Sequence, residues 1–103
     1  MIERLFEQVK RKLNITWEDE DTNARITDII EGAIPDLKHK LGIVADDFDF
    51  SEAGAINTLF LAYCLYEFNH SLNEFDENYA RLIAQERAKI EVEHLQSEGV
   101  DDE

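Results

Sequence analysis

Residues 53–69 read AGAINTLFLAYCLYEFN and predict a helix that has almost no polar side. Apolar side chains recur at helical spacing on one face, and other apolar side chains cover most of the remaining circumference. A helix that is apolar nearly all round is buried nearly all round. Because a chain of 103 residues has few other elements to cover it, we expect part of this helix to contact another polypeptide. The candidate contact residues on this helix are Leu61, Leu65 and Phe68.

Length and composition predict one compact domain, which we place at residues 1–95, followed by an acidic flexible tail at residues 96–103. The single cysteine, Cys64, lies inside the apolar run, where a small buried hydrophobe is its commonest role. The apolar stretches fall short of the roughly 20 residues that cross a bilayer, and charges interrupt the N-terminal segment where a signal peptide is apolar. We therefore expect a cytoplasmic protein with no membrane partner.

The strong negative charge argues against simple binding to the phosphate backbone of nucleic acid. The chain carries 24 acidic and 10 basic residues, for a formal net charge of −14, whereas phosphate binding depends on clustered Lys and Arg. Three interpretations of the acidity remain open: a solvated surface that keeps the protein soluble, mimicry of nucleic acid toward a basic partner, and a repulsive wall past which DNA slides.

Three further apolar patterns have the helical period, and none alternates as a strand does, so the prediction is an all-α bundle of about four helices. The first helix covers about residues 2–13. The second begins between residues 18 and 23 and ends before Gly42. Pro35 interrupts its apolar stripe and predicts either a kink or a break into two helices, of which the continuing stripe favours the kink.

Capping residues place the starts of the third and fourth helices. Ser51 is a candidate N-cap for the apolar helix, with Asp49 and Glu52 as an alternative capping box, and Asn73 is a candidate cap for the fourth helix. Apolar residues continue to the far end of the fourth helix, where the other helices are too short to cover them. We therefore expect residues 87–103 to be a docking element rather than part of the core, with contact residues Arg87, Ile90, Val92 and Leu95.

The first helix and the linker after it hold two further features that open alternative interpretations. Four of the ten basic residues lie in the first helix, where the cluster either complements the negative end of the helix dipole or forms a docking patch for an acidic partner. Trp17 stands among acidic residues in the linker. Its indole is either an exposed interface residue or a lid folded back over the core.

Motifs for metal binding or catalysis fail on geometry or on ligand type. The pairs Glu67 with His70 and Glu91 with His94 have the spacing of di-metal sites in bundles, but about 25 Å would separate them along antiparallel helices. Asp47, Asp49 and Ser51 resemble the start of a calcium loop, yet Glu52 and Thr58 occupy its glycine and bidentate-glutamate positions. We expect no metal site, no cofactor and no catalytic residue, so the protein is not expected to be an enzyme.

The order of these features resembles the small helical head-tail connector, or adaptor, proteins of tailed bacteriophages and prophages. The matching segments are EDEDTNARITDIIEGAIPDLKHKLGI, an acidic entry to a helix that ends in leucine-glycine, and AINTLFLAYCLYEFNHSLNEFDENYARLI, an aromatic-rich helix followed by a charged one. The resemblance covers about residues 15–95. The first helix and Pro35 have no clear counterpart in the family pattern.

The resemblance implies a structural role in the virion. A ring of about twelve copies would sit beneath the portal protein, extend the DNA channel and bind the next tail-completion protein, while DNA passes through without specific binding. Subunits would be made in the host bacterial cytoplasm, as monomers or weak oligomers, and end at the virion head-tail junction. The alternative from another class is an acidic regulatory or inhibitor protein that mimics DNA and binds a basic partner.

Overall fold

The structure is a computed structural model that describes the backbone of residues 1–101 and the side chains of residues 1–93 and Leu95. Four α-helices and no strand are found within these bounds, so the all-α prediction is confirmed. The helices are α1 (Ile2–Lys12), α2 (Glu20–Leu41), α3 (Ala55–Phe68) and α4 (Leu72–Asp101).

The first three helices end in the same hydrogen-bonding pattern, in which a residue with positive φ follows the helix. These residues are Asn14 with φ 59°, Gly42 with φ 70° and His70 with φ 58°. In each case the next backbone N–H donates to a carbonyl five residues earlier, as in Ser71 N to Tyr66 O at 2.8 Å. These are Schellman motifs, which satisfy carbonyls that the helix itself leaves without donors.

Pro35 does not divide α2, so of the two alternatives the less favoured one, a break, is wrong, and α2 runs as one helix through Pro35. Pro35 is exposed, whereas Ala33 and Leu37 on the opposite side are buried. The ring removes the donor for the carbonyl of Glu31 on the solvent side, where water is able to bond that carbonyl. The buried stripe therefore continues on both sides of the proline.

The α3 helix contacts each of the other three helices, as α2 does. Leu59, Phe60 and Cys64 are fully buried on it. Where α3 meets α4, Tyr63 and Phe75 pack edge to face with their ring centroids 5.3 Å apart. The prediction that this apolar helix is buried on most sides is confirmed. The other hydrophobic residues with 0% exposure are Leu5, Ile26, Ile30, Ala33, Leu37, Leu41 and Phe75.

Part of the loop at residues 42–54 packs into the core, whereas residues 44–47 and 52–54 are exposed. Phe50 is buried and packs against Phe60, with ring centroids 5.1 Å apart. Asn57 Nδ2 donates to the carbonyl of Phe50 at 2.8 Å and to Gln8 Oε1 at 3.0 Å, and Gln8 Nε2 donates to the carbonyl of Ser51 at 3.0 Å. These bonds join α1, the loop and α3.

Both predicted caps are misplaced. Gly54, not Ser51, precedes α3, and Ser51 is buried with its backbone N–H donating to Asp49 Oδ1 at 2.9 Å. The α4 helix begins at Leu72, so Asn73 lies inside its first turn and Ser71 supplies the first accepting carbonyl, to Glu74 N at 2.9 Å.

The α4 helix is much longer than its antiparallel neighbour. Its 30 residues span about 45 Å, whereas the 14 residues of α3 span about 21 Å. The molecule is accordingly elongated, with extents of 55 × 28 × 19 Å. Residues 96–101 of the predicted tail continue this helix, and residues 102–103 lie outside the described residues.

Candidate interaction surface

Trp17 lies in the linker between α1 and α2 with 55% of its surface exposed. The linker is held around it by Lys10, whose ammonium pairs with Glu18 at 2.7 Å, and by Asp19, whose carboxylate accepts from Thr22 N at 3.0 Å. The alternative that the indole folds over the core as a lid is therefore wrong. Trp17 remains available to a partner.

Leu61, Leu65 and Phe68 form what we call the α3 strip. Their spacing of four and three residues puts them on one side of α3, and all three are half-buried. Leu61 lies at the floor of a groove between α1 and α3 that is also lined by Gln8, Asn57, Arg11 and Lys12.

Arg25 of α2 covers the far end of the α3 strip. Its guanidinium carbon lies 4.1 Å from the centroid of the Phe68 ring. The same guanidinium donates to the backbone carbonyl of Phe68 and to His70 Nε2 at 3.2 Å. Cations thus stand at both ends of the α3 strip, with leucines between them.

The contact residues predicted on α4 fall into two groups. Arg87 donates to the carbonyl of Lys40 at 3.3 Å and pairs with Glu91 at 3.1 Å, while Ile90 packs on the core cluster. The expectation that the docking element begins at Arg87 is therefore wrong, because Arg87 and Ile90 join α4 to the rest of the bundle. Val92 and Leu95 are 52% and 64% exposed, and they do fit a docking role.

We call residues 91–101 the α4 arm, because this part of α4 continues past Ile90, the last residue with a described side chain that packs on the core. The sequence of the α4 arm has four acidic residues and no Lys or Arg. Val92 and Leu95, three residues apart, share a side of the helix, and Glu91 and Glu93 beside them are exposed. The α4 arm therefore presents apolar side chains beside negative charge, and Lys89, which lies one turn before Val92, is paired with Glu86 at 3.1 Å.

A second apolar surface lies where the α2–α3 loop meets α4. Val44, which is 78% exposed, lines a cleft of about 230 Å³ together with Phe48 and Ile90. Glu91 and Glu93 stand at its rim. The cleft joins the base of the α4 arm to the loop.

Of the three basic residues in the last turn of α1, one is buried and two are exposed. Lys10 is buried, lies 5.6 Å from the centroid of the Phe6 ring and pairs with Glu18. Arg11 and Lys12 are exposed and form no ion pair among the residues that the structure describes. All three lie in the last turn of α1, where cations complement the helix dipole.

Hydrogen bonds within the chain lower the pKa of three carboxyl groups, those of Glu18, Asp19 and Asp49. Lys10 and Asn23 lower the pKa of Glu18, and Thr22 lowers that of Asp19. Ser51 lowers the pKa of Asp49 in the same way. These carboxylates are engaged within the chain and hold the linker and the loop in place.

Buried titratable groups face the core rather than a cavity. Burial raises the pKa of the Cys64 thiol to about 12, with a smaller effect from the charge of Glu67. Burial and the hydrogen bond to Asp36, at 2.7 Å, raise the pKa of the Tyr63 phenol well above its usual value. A thiol with so high a pKa is a poor nucleophile at neutral pH.

Within the part of the chain that the structure describes, no three His, Cys, Asp or Glu residues are grouped as metal ligands. Glu67 lies near the end of α3 and Glu91 lies in the α4 arm, 20 residues or about 30 Å beyond Ser71. The side chain of His94 lies outside the described residues. No described helix is long and apolar enough to cross a membrane.

Comparison with protein-family models, with curated proteins and with solved structures finds no match to this chain.

The sequence offers a docking patch as one of two interpretations of the basic cluster on α1, but it does not place that cluster beside the α3 strip, and it does not place Val44 at the cleft. The α3 strip was predicted, but the placing of Arg11, Lys12 and Arg25 beside it depends on how three helices pack. The sequence around Val44 gives some indication of an exposed apolar residue, since Val44 lies next to an acidic loop segment. Its exposure, however, was not predictable from that segment alone.

Proposed function

We propose that the protein is a structural head-tail connector, or adaptor, of a tailed phage or prophage. In this proposal copies of the chain form a ring beneath the portal protein, extend the DNA channel and bind the next tail-completion protein. The subunits are made in the host bacterial cytoplasm and function at the head-tail junction. The protein acts by binding and has no catalytic step.

The observation that carries the proposal is the α4 arm, with Val92 and Leu95 exposed on a helix that outgrows its bundle. A chain of 103 residues gains stability from burying apolar side chains, so a long helix with exposed apolar residues is costly unless a partner covers them. The α3 strip is a second surface at a different place, and Trp17 is a further exposed apolar side chain. A connecting protein needs at least two such surfaces.

The charge of the chain supports the same role. A net charge of −14 on a small bundle repels DNA. Repulsion is useful in a channel, because DNA that does not adhere to the wall slides through it. The same charge opposes association of free subunits and favours assembly on a partner that holds them together.

The experiment is capture of the purified chain by immobilised portal protein from the same phage or prophage. The expected result is saturable binding that is weakened about tenfold or more when Val92→Asp and Leu95→Asp are combined. A matched control places two aspartates at Ala80 and Gln85, which lie on α4 before the arm, and this variant should bind like wild type.

Two outcomes contradict the proposal. One is absence of binding to the portal at any salt concentration. The other is tight binding to a basic DNA-binding protein, with DNA competing for the same surface, which would instead support the acidic-mimic function. Circular dichroism of each variant verifies that the helices are retained.

A further inference from the structure

The α3 strip and the α4 arm both present apolar side chains, but the charged side chains beside them have opposite signs. The α3 strip has Leu61, Leu65 and Phe68 between Arg11 and Lys12 at one end and Arg25 at the other. The α4 arm has Val92 and Leu95 between exposed glutamates. The charges of the two surfaces are therefore complementary. Apolar contact combined with opposite charge favours association and fixes its orientation.

The α4 arm of one chain is unable to cover the α3 strip of the same chain. The α4 helix runs unbroken from Leu72 to Asp101, so the arm continues in a straight line away from the turn at which α3 ends. It therefore leaves its own bundle at the end opposite to Phe68. Contact between the two surfaces requires a second copy.

We infer that the α4 arm of one copy docks on the α3 strip of the next copy, with Val92 and Leu95 on the leucines and Glu91 and Glu93 beside Arg11 and Lys12. This inference rests on the ring of the proposed function and assigns the α3 strip and the α4 arm to the contact between copies. Val92→Asp with Leu95→Asp then weakens capture by the portal because copies that no longer contact one another bind the portal singly. The two surfaces are different parts of the molecule, so the contact is heterologous. Repeated, it closes into a ring or continues as a filament.

The cations at the α3 strip are available for such a contact. Arg11 and Lys12 are exposed and form no ion pair among the described residues. The nearby acidic linker does not neutralise them, because Glu18 is bound by Lys10 and Asn23 while Asp19 caps α2. A basic end therefore persists on a chain whose overall charge is −14.

Charge reversal on either side, followed by mixing, tests the contact. The strip variant carries Arg11→Glu and Lys12→Glu, and the arm variant carries Glu91→Lys and Glu93→Lys. In each variant alone, strip and arm have the same sign and repel. In an equimolar mixture every arm finds a strip of opposite sign on the other variant, so alternating copies associate.

The measurement is sedimentation equilibrium in about 0.15 M salt, where the Debye length is about 8 Å and close charge pairs still act. We expect wild type to self-associate as protein concentration rises, each variant alone to associate about tenfold or more weakly, and the mixture to regain association. The control variant Lys38→Glu with Arg81→Glu changes the net charge as the strip variant does, but away from the α3 strip. It should associate like wild type.

Each other outcome overturns the inference. Failure of the mixture to regain association excludes the strip–arm contact, and an effect of the arm variant without an effect of the strip variant indicates an arm–arm contact instead. Wild type that is monomeric at every concentration also overturns it. Glu91 pairs with Arg87 only at the surface, so its loss leaves the fold intact, which a thermal melt verifies.

Binding to the portal separates this inference from the proposed function. If wild type binds the portal but mixing does not restore association, the adaptor function stands and the subunit contact is wrong. If mixing restores association but the portal is not bound, the contact stands and the adaptor function is wrong.

Discussion

His70, which follows the end of α3, has a backbone conformation that is unfavourable for a residue with a side chain. Its φ is 58°, and Asn14 and Gly42 occupy the same position after α1 and α2. Glycine adopts this region at no steric cost and asparagine tolerates it, whereas other L-residues lose about 1 kcal/mol. The α3–α4 turn therefore stores a small strain at His70.

Replacing His70 with glycine should raise the free energy of unfolding by about 0.5–1 kcal/mol. The substitution removes the contact from Arg25 to the imidazole, but that guanidinium keeps its bond to the carbonyl of Phe68. Urea denaturation measures the change. Gly42→Ala is the converse variant and should lower stability by about 1 kcal/mol; a destabilised His70→Gly protein would show that the imidazole contact outweighs the strain.

Cys64 makes stability depend on pH in the alkaline range. Burial raises its pKa from 9.0 to about 12 in the fold, so above pH 9 the thiol ionises in the unfolded chain and stays protonated in the folded one. The contribution of the protonated Cys64 thiol to the free energy of unfolding is therefore complete below pH 9 and is lost as pH rises from 9 toward 12.

The free energy of unfolding should therefore fall by about 1 kcal/mol from this residue between pH 8 and pH 10. The variant Cys64→Ala, although less stable at pH 8 because it leaves a cavity, should lose less over the same interval. Tyr63, whose pKa is also raised, adds a further decline above pH 10 in both proteins. Equal slopes for wild type and Cys64→Ala would show that the thiol is not protected by the fold.

At the scale of elements, α4 divides into a part that stabilises the bundle and a part that does not. Glu86 is buried, Arg87 bonds the carbonyl of Lys40, and Ile90 packs on the core. Beyond Glu91 the side chains that the structure describes are exposed. The boundary between core and arm thus lies near residue 91.

Two truncations test this boundary. A chain that ends after Glu91 should melt cooperatively within a few degrees of the full chain, since it loses only exposed described side chains. A chain that ends after Ala84 should lose roughly 2–4 kcal/mol, because Ile90 and the contacts of Glu86 and Arg87 are removed. Circular dichroism melts measure both, and equal stability of the two truncated chains would contradict the boundary.

The sequence pattern predicts α1 and α2 well and misplaces the starts of α3 and α4. Apolar spacing and Gly42 define the first two helices because their amphipathic stripes match the faces that are buried. The prediction fails at Ser51 because that residue lies in a loop whose Phe50 is packed into the core. A capping residue and a buried loop residue have the same sequence signature, and only tertiary packing distinguishes them.

The candidate surface was predictable in its apolar part only. Leu61, Leu65, Val92 and Leu95 stand out because too little of a short chain is available to cover them. The groove beside Leu61 was not predictable, since it is built from α1 and α3 residues more than forty positions apart, such as Arg11 and Asn57. Likewise the sequence pattern assigns Arg87 to docking. Its bond to the carbonyl of Lys40 depends on how α2 and α4 pack, which the pattern does not show.

At the scale of the whole molecule, net charge sets the conditions under which copies associate. At low salt a charge of −14 acts over tens of ångströms and opposes close approach. Free chains at micromolar concentration should therefore be monomeric or weakly associated. Analytical ultracentrifugation in about 0.01 M salt measures this, and a stable large ring under those conditions without any partner would contradict it.

In the proposed function many copies of this chain assemble in a ring on one portal. Native mass spectrometry of the complex, purified after co-expression with the portal protein of the same phage or prophage, counts the 12.0 kDa chains directly. We expect one ring of about a dozen copies per portal, reduced to few or no copies by the Arg11→Glu and Lys12→Glu strip variant. A portal that carries no copies, or a single copy unaffected by that variant, would contradict the account.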